Sequence, residues 1–263
     1  MNPSTAFGVF VAGILAGSLG GFLGIGGGVV LMPVLRFVLG LSPAMAAGTC
    51  VMAVTFTTLG GAHKHYQLGN VDLKSVLPII LSGGISAAAF SLVFPLFARH
   101  GHERWLDIGT GMIFFAISLR MIIEGLRGDE PGRVAPGMLP GATWAKVAVG
   151  SAAGTMPGLL GIGTGALLVP VFVLILNAPM KIAVGSSLAC FFAFALLSSV
   201  FKAVQGFVDL QLVIPLCLGT LLGSGGGAWL TKSFKGATLK VAFGFAFLFV
   251  SVKYLLLFFG ARI

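Results

Sequence analysis

The sequence predicts an all-α, polytopic integral membrane protein made of two homologous, inverted repeats with glycine-broken helices or helical hairpins. Three observations predict it. Of 263 residues, 57% are hydrophobic and only 9% charged, with a mean hydropathy of +1.06, whereas soluble domains are about a quarter charged. Several apolar runs reach the roughly 20 residues that a helix needs to cross a bilayer. One glycine-rich pattern occurs twice. No period-two alternation of about ten residues recurs, as a membrane barrel would require, and helices satisfy their own backbone in lipid.

In chain order, Met1 to Ala6 has no Lys or Arg before the first apolar run, and Gly17 to Gly28 offers no convincing cleavage site, so the first segment is expected to be retained. A glycine-interrupted segment, Phe7 to Leu39, is followed by Ala44 to Leu68, a span ending in polar residues. The apolar runs Ser75 to Ala98 and Trp105 to Ile123 complete the unit. Arg127 to Thr143, polar and rich in Gly and Pro, reads as a linker. The order then repeats with the broken segment Ala145 to Leu176, the polar-ended span Ile182 to Gln205, and the runs Leu210 to Leu230 and Val241 to Phe259. The expected units are residues 1–126 and 144–263, joined by residues 127–143.

An offset of 137 superposes Gly13, Gly17, Gly21, Gly24, Gly26, Gly28 and Pro33 on Gly150, Gly154, Gly158, Gly161, Gly163, Gly165 and Pro170. The same offset matches Val71-Asp72-Leu73 to Val208-Asp209-Leu210 and Pro78 to Pro215. This is the signature of duplication. If the broken segment enters and leaves by one side, Lys64, Lys74, Arg127, Arg133, Lys146, Lys181, Lys232 and Lys235 fall on one face of the membrane. That face would be cytoplasmic, the repeats inverted and both termini outside; if the segment instead crosses once, the two sides are nearly balanced and no orientation is favoured. The net charge of +9 forms no contiguous stripe, so no nucleic acid is expected. Cys50, Cys190 and Cys217 lie in apolar runs without metal or disulfide spacing and read as packing residues, and no cofactor is called for.

The windows Gly24-Ile25-Gly26-Gly27-Gly28 and Gly161-Ile162-Gly163-Thr164-Gly165 are too dense in glycine for a stable helix. Unwound backbone at membrane depth is tolerated only beside protein or a watery cavity. Segments resuming at Val29 and Ala166 would present unpaired N–H groups and the positive end of a half-helix to that cavity, which suits an anion. Pro33 and Pro170 should distort the resumed helices and free the carbonyls of Val29 and Ala166. Broken helices at corresponding places in two repeats point to a transporter site. The flanking glycines at spacing four read instead as helix-packing surfaces.

Hydroxyls near the breaks add candidates: Thr49, Cys50, Thr55, Thr57 and Thr58 in one span, Ser186, Ser187, Ser198 and Ser199 in the other, with Thr49/Ser186 and Cys50/Ser187 paired at the offset. Such groups face a cavity or bond their own helix. His65 and Lys202, also paired at the offset, could recruit an anion or relay protons, or could be interfacial cations. The candidate substrate-binding set is therefore Gly26, Gly27, Gly28, Gly163, Thr164, Gly165, Thr49, Cys50, Ser186, Ser187, His65 and Lys202. Asp72 and Asp209 suit helix N-caps.

GFLGIGGG with Pro33, GLLGIGTG with Pro170, and the Gly-x-Val-Asp signal after the following span together resemble the TSUP membrane transporters, the TauE/SafE sulfite exporter group. One departure is Thr164, where the first copy has Gly27. The resemblance implies transport of a small sulfur-containing anion such as sulfite, thiosulfate, sulfoacetate or another organosulfonate across a cell membrane, the bacterial inner membrane being the expected location. Membrane potential, worth roughly 2.3 kcal/mol per charge per 100 mV, favours anion exit. An anion channel and a carrier of non-sulfur organic anions stay open as alternatives, as do proton coupling and a homodimer. An enzyme is not expected, because the spans hold no HExxH, GxSxG or carboxylate cluster.

Overall fold

The computed structural model describes residues 2–71, 73–97, 115–116, 118–128, 139–159 and 165–258. The second glycine window up to Thr164, Asp72, most of the expected linker and most of the run from Trp105 lie outside the described residues. Among those described, the chain is helical and contains no strand.

The helices are α1 (Pro3–Leu23), α2 (Gly28–Pro33) leading into a π turn (Val34–Val38), α3 (Pro43–Gln67) and α4 (Leu73–Phe97), then α5 over residues 118–127. They are followed by α6 (Thr143–Leu159), α7 (Gly165–Leu174), α8 (Met180–Val204), α9 (Leu210–Leu230) and α10 (Gly236–Phe258). Five of the described helices are long and apolar enough to cross a membrane. Pro3 and Pro43 open α1 and α3 at positions where their fixed φ suits a first turn and a missing N–H costs nothing. Asp209 caps α9, its carboxylate accepting from the N–H groups of Gln211 (3.0 Å) and Leu212 (3.1 Å), as its place before an apolar run predicts. The distortion expected at Pro33 takes the form of the π turn immediately after it.

Glycine decides how the helices pack. A Cβ added at Gly13, Gly17 or Gly21 of α1 would strike the backbone of Leu216, Thr220 or Ser224 of α9. On α6, Gly150, Gly154 and Gly158 lie likewise against Ile79, Gly83 and Ala87 of α4. Lipid tails are as apolar as leucine, so close van der Waals contact between small residues is what draws such helices together. The packing role expected of the flanking glycines is thus met. These pairings are reciprocal: adding 137 to each α1 residue and subtracting it from each α9 residue yields the α6–α4 contacts.

The contacts also fix direction. From Gly13 to Gly21 the partners on α9 advance from Leu216 to Ser224, so α1 and α9 run parallel. Thr49 meets Asp209 and Gly60 meets Ser224, so α3 runs the same way. Because α1 and α3 share a direction, the α2 segment between them returns towards the side from which α1 started. By contrast, Thr55 meets Ser199 while Gly61 meets Leu188, so α3 and α8 are antiparallel. They cross at the centre, where Val51, Val54, Leu188, Phe191 and Phe194 are buried. Leu77, Leu81 and Ile85 of α4 and Leu210, Ile214, Leu218 and Leu222 of α9 are exposed at helical spacing, an outward apolar stripe suited to lipid.

Candidate functional site

The first glycine window is a buried turn. Helix α1 ends at Gly24, whose φ of +78° is the left-handed conformation of a glycine cap, and Gly26 and Gly27 both have φ of +74°. The carbonyl of Gly20 accepts from the N–H groups of Gly24 (2.9 Å), Ile25 (3.1 Å) and Gly26 (3.4 Å). Val30 and Leu31 donate to the Gly27 carbonyl. The N–H groups of Gly27, Gly28 and Val29 have no acceptor among the described residues, and all three residues are buried. Buried backbone donors are nearly always paired, so three adjacent donors without a described acceptor mark a place for one. Because α2 has only six residues before the π turn, local N–H groups supply this donor character, and a long helix dipole does not.

Both halves of the chain surround the turn. Cys50 of α3 points its thiol at the Gly28 carbonyl (3.6 Å), and Ser187 of α8 donates to the Gly24 carbonyl (2.9 Å). A Cβ at Gly24 would touch Ser187 and Val169, the latter on α7, while one at Gly26 would meet the Phe191 ring at 2.6 Å and Val54 at 3.1 Å. Val54 and Phe191 stand near the midpoints of α3 and α8 and are themselves 137 apart. Phe191 was missed as a candidate, although that offset from the first break's neighbour was the signal that could have found it.

The remaining candidates divide. Thr49 accepts from the Asp209 N–H (3.0 Å) and so fixes the entry to α9. Ser186, its counterpart at the offset, is buried, and its hydroxyl has no partner among the described residues. His65 brings Nε2 to 3.3 Å from the Gly21 carbonyl, while its Nδ1 faces the Asn70 amide at 3.1 Å; this pair of contacts places the proton on Nε2. Lys202 donates to the carbonyls of Pro157 (2.9 Å) and Gly158 (2.7 Å), with its ammonium 4.1 Å from the centre of the Phe94 ring. Gly21 and Gly158 are also 137 apart. The two aligned residues therefore do one job: each donates to a carbonyl at the end of the helix that leads into its half's glycine window. Gly163 and Thr164 lie outside the described residues, and Gly165 opens α7. Thr55 with Ser199 (3.4 Å) and Ser91 with Ser198 (3.1 Å) form a polar seam along α8.

A family model described as "Sulfite exporter TauE/SafE" matches residues 9–254. The "Probable membrane transporter protein YunE" of Bacillus subtilis is 28% identical to the chain, over 87% of it and 89% of that protein. A "Probable membrane transporter protein" of Haemophilus influenzae is 26% identical, over 92% of the chain and 95% of its own length. "Sulfite exporter TauE/SafE family protein 1" of Arabidopsis thaliana is 26% identical over 44% of the chain and 26% of that protein. No solved structure matches the chain. The match to the family model over nearly all of the chain, on apolar helices packed through glycine around a buried turn, leads to one conclusion: this chain belongs to the TauE/SafE sulfite exporter family of membrane transporters.

Proposed function

We propose that the chain is a secondary transporter that carries a small sulfur-containing oxyanion, such as sulfite, thiosulfate or an organosulfonate, out of the cell. The observation that carries this reading is the row of three buried N–H groups at Gly27, Gly28 and Val29 that have no acceptor among the described residues, enclosed by residues from both halves. Oxyanions are bound well by converging backbone donors. His65 and Lys202 are both occupied with carbonyls, which leaves the backbone N–H groups as the donors at the turn. The reciprocal α1–α9 and α6–α4 packing, together with antiparallel α3 and α8, supports two inverted repeats over residues 1–126 and 144–263. In alternating access the halves would rock about the α3–α8 crossing, with Gly26 and Phe191 at the pivot. Membrane potential alone would then drive an anion outward.

Flux into proteoliposomes tests this reading, comparing sulfite, thiosulfate, sulfoacetate and a carboxylate under imposed potential and pH gradients. Saturable, potential-driven uptake of the sulfur anions below about a thousand per second supports it. Single-channel steps would indicate a pore, and preference for the carboxylate would reassign the substrate class.

A further inference from the structure

Away from the central turn, a groove of about 520 Å³ opens on the outer face between the C-terminal parts of α1 and α9 and the start of α10. Leu19, Gly226, Trp229 and Leu230 line it, and Phe22 and Phe234 meet edge to face across its wall at 5.3 Å. Leu19, Trp229 and Leu230 remain 43–54% exposed within it. Gly226 is the unusual member. Unlike Gly227 beside it, which is pressed against the Ser18 backbone, Gly226 has no atom within 4 Å of where a Cβ would stand. Packing within the protein does not demand a glycine there, although glycine weakens a helix interior by about 1 kcal/mol. Its effect is a smooth floor to the groove.

The end of the groove is basic. Lys232 and Lys235 are exposed on the turn between α9 and α10, directly beside the lining residue Phe234. Lys181, at the start of α8, reaches the Lys232 carbonyl at 3.4 Å and brings a third ammonium to the same turn. From Leu210 to the C-terminus the sequence has no Asp or Glu to neutralise them. An apolar trough ending at lysines that no described carboxylate pairs with, and with a tryptophan at the rim, matches one occupant in charge and in polarity. The geometry points to a binding site for an anionic phospholipid, an acyl chain lying over Gly226 and the phosphate at Lys232 and Lys235.

Native mass spectrometry of the full-length protein in neutral detergent tests the site, with phosphatidylglycerol and phosphatidylcholine offered separately and inorganic phosphate as a soluble competitor. Phosphatidylglycerol should be retained at least five-fold better than phosphatidylcholine. Changing Lys232 and Lys235 together to Gln should bring the two lipids to parity, whereas Gly226→Phe, which builds a ring into the trough from a position where a Cβ meets no atom within 4 Å, should reduce both. Three results overturn the proposal: equal retention of both lipids by the unaltered protein, a preference that survives loss of the lysines, or displacement by phosphate with no effect of Gly226→Phe. A dimer of the unaltered chain that Gly226→Phe dissociates would assign the groove to a second copy and overturn it as well.

Discussion

Replacing Lys202 by Met tests how the chain stabilises the helix that leads into its second glycine window. Methionine keeps the length of the side chain and its contact with Phe94, but it cannot donate. The carbonyls of Pro157 and Gly158, now served at 2.9 and 2.7 Å, would lose this donor, at about 1–3 kcal/mol each. Loss of the ammonium over the Phe94 ring removes up to about 2 kcal/mol more. Against this stands relief from keeping an ammonium wholly buried, which returns part of the cost. A net loss of about 2–4 kcal/mol follows, and with roughly 2–4 °C per kcal/mol for a chain of this size the apparent Tm should fall by about 5–15 °C. Thermal unfolding in detergent, followed by tryptophan fluorescence, reads this directly. Lys202→His should recover about half the loss, because an imidazole at the matching position already serves the Gly21 carbonyl. A Lys202→Met protein that melts within about 2 °C of the parent would refute the capping role, and with it the equivalence of His65 and Lys202.

Gly17→Ala and Gly154→Ala should each destabilise by about 1–3 kcal/mol through overpacking, since both would strike backbone on the facing helix; Gly225→Ala, which meets nothing within 4 Å, should be neutral or slightly stabilising on thermal melts. Asp209→Ala removes a cap with two N–H acceptances and should cost about 0.5–2 kcal/mol, whereas Asp209→Asn should retain most of the stability in the same assay. If both termini lie outside, Asn2→Cys and Ala261→Cys variants should react with an impermeant thiol reagent in intact cells, and protection of both would sink that orientation. Gly26→Leu should abolish anion binding, but it must also bend a backbone with φ of +74° and displace Phe191, so binding in the Gly26→Leu, Phe191→Ala pair is the cleaner measurement; retained affinity in a folded sample would dissociate the turn from the site.

The fold was legible because its signals are local or periodic. The glycine window ends α1 and Asp209 opens α9 as expected, while Pro3 and Pro43, which open α1 and α3 ahead of the starts expected at Phe7 and Ala44, were passed over; glycine spacing along α1 and α6 announces close packing before any partner is known. What spacing does not carry is the partner itself: nothing in Gly13, Gly17 and Gly21 says that their neighbour is α9 of the other half. The site was legible in part for the same reason. Gly26 to Gly28 stand out by conformation, and Cys50 and Ser187 by their alignment at the offset. Phe191, an apolar residue in an apolar helix, has no distinguishing chemistry, and only its contact with Gly26 reveals it. His65 and Lys202 were visible as aligned cationic residues, but the carbonyls they serve become visible only when α1 and α6 are laid beside α3 and α8.

The packing of α1 on α9 has a consequence for how the chain is made. Gly13 and its partner Gly219 are separated by most of the sequence, and at about 5–20 residues per second α1 waits for roughly 10–40 s of synthesis before its partner exists. During that interval its glycine face is in the bilayer without the surface built to cover it, open to capture by another chain or by an insertion factor. By the same geometry α6 finds α4 already made. The second half therefore assembles onto the first as it emerges, and a ribosome pause or truncation before Leu210 would leave the glycine face of α1 uncovered, although α3 stands beside it.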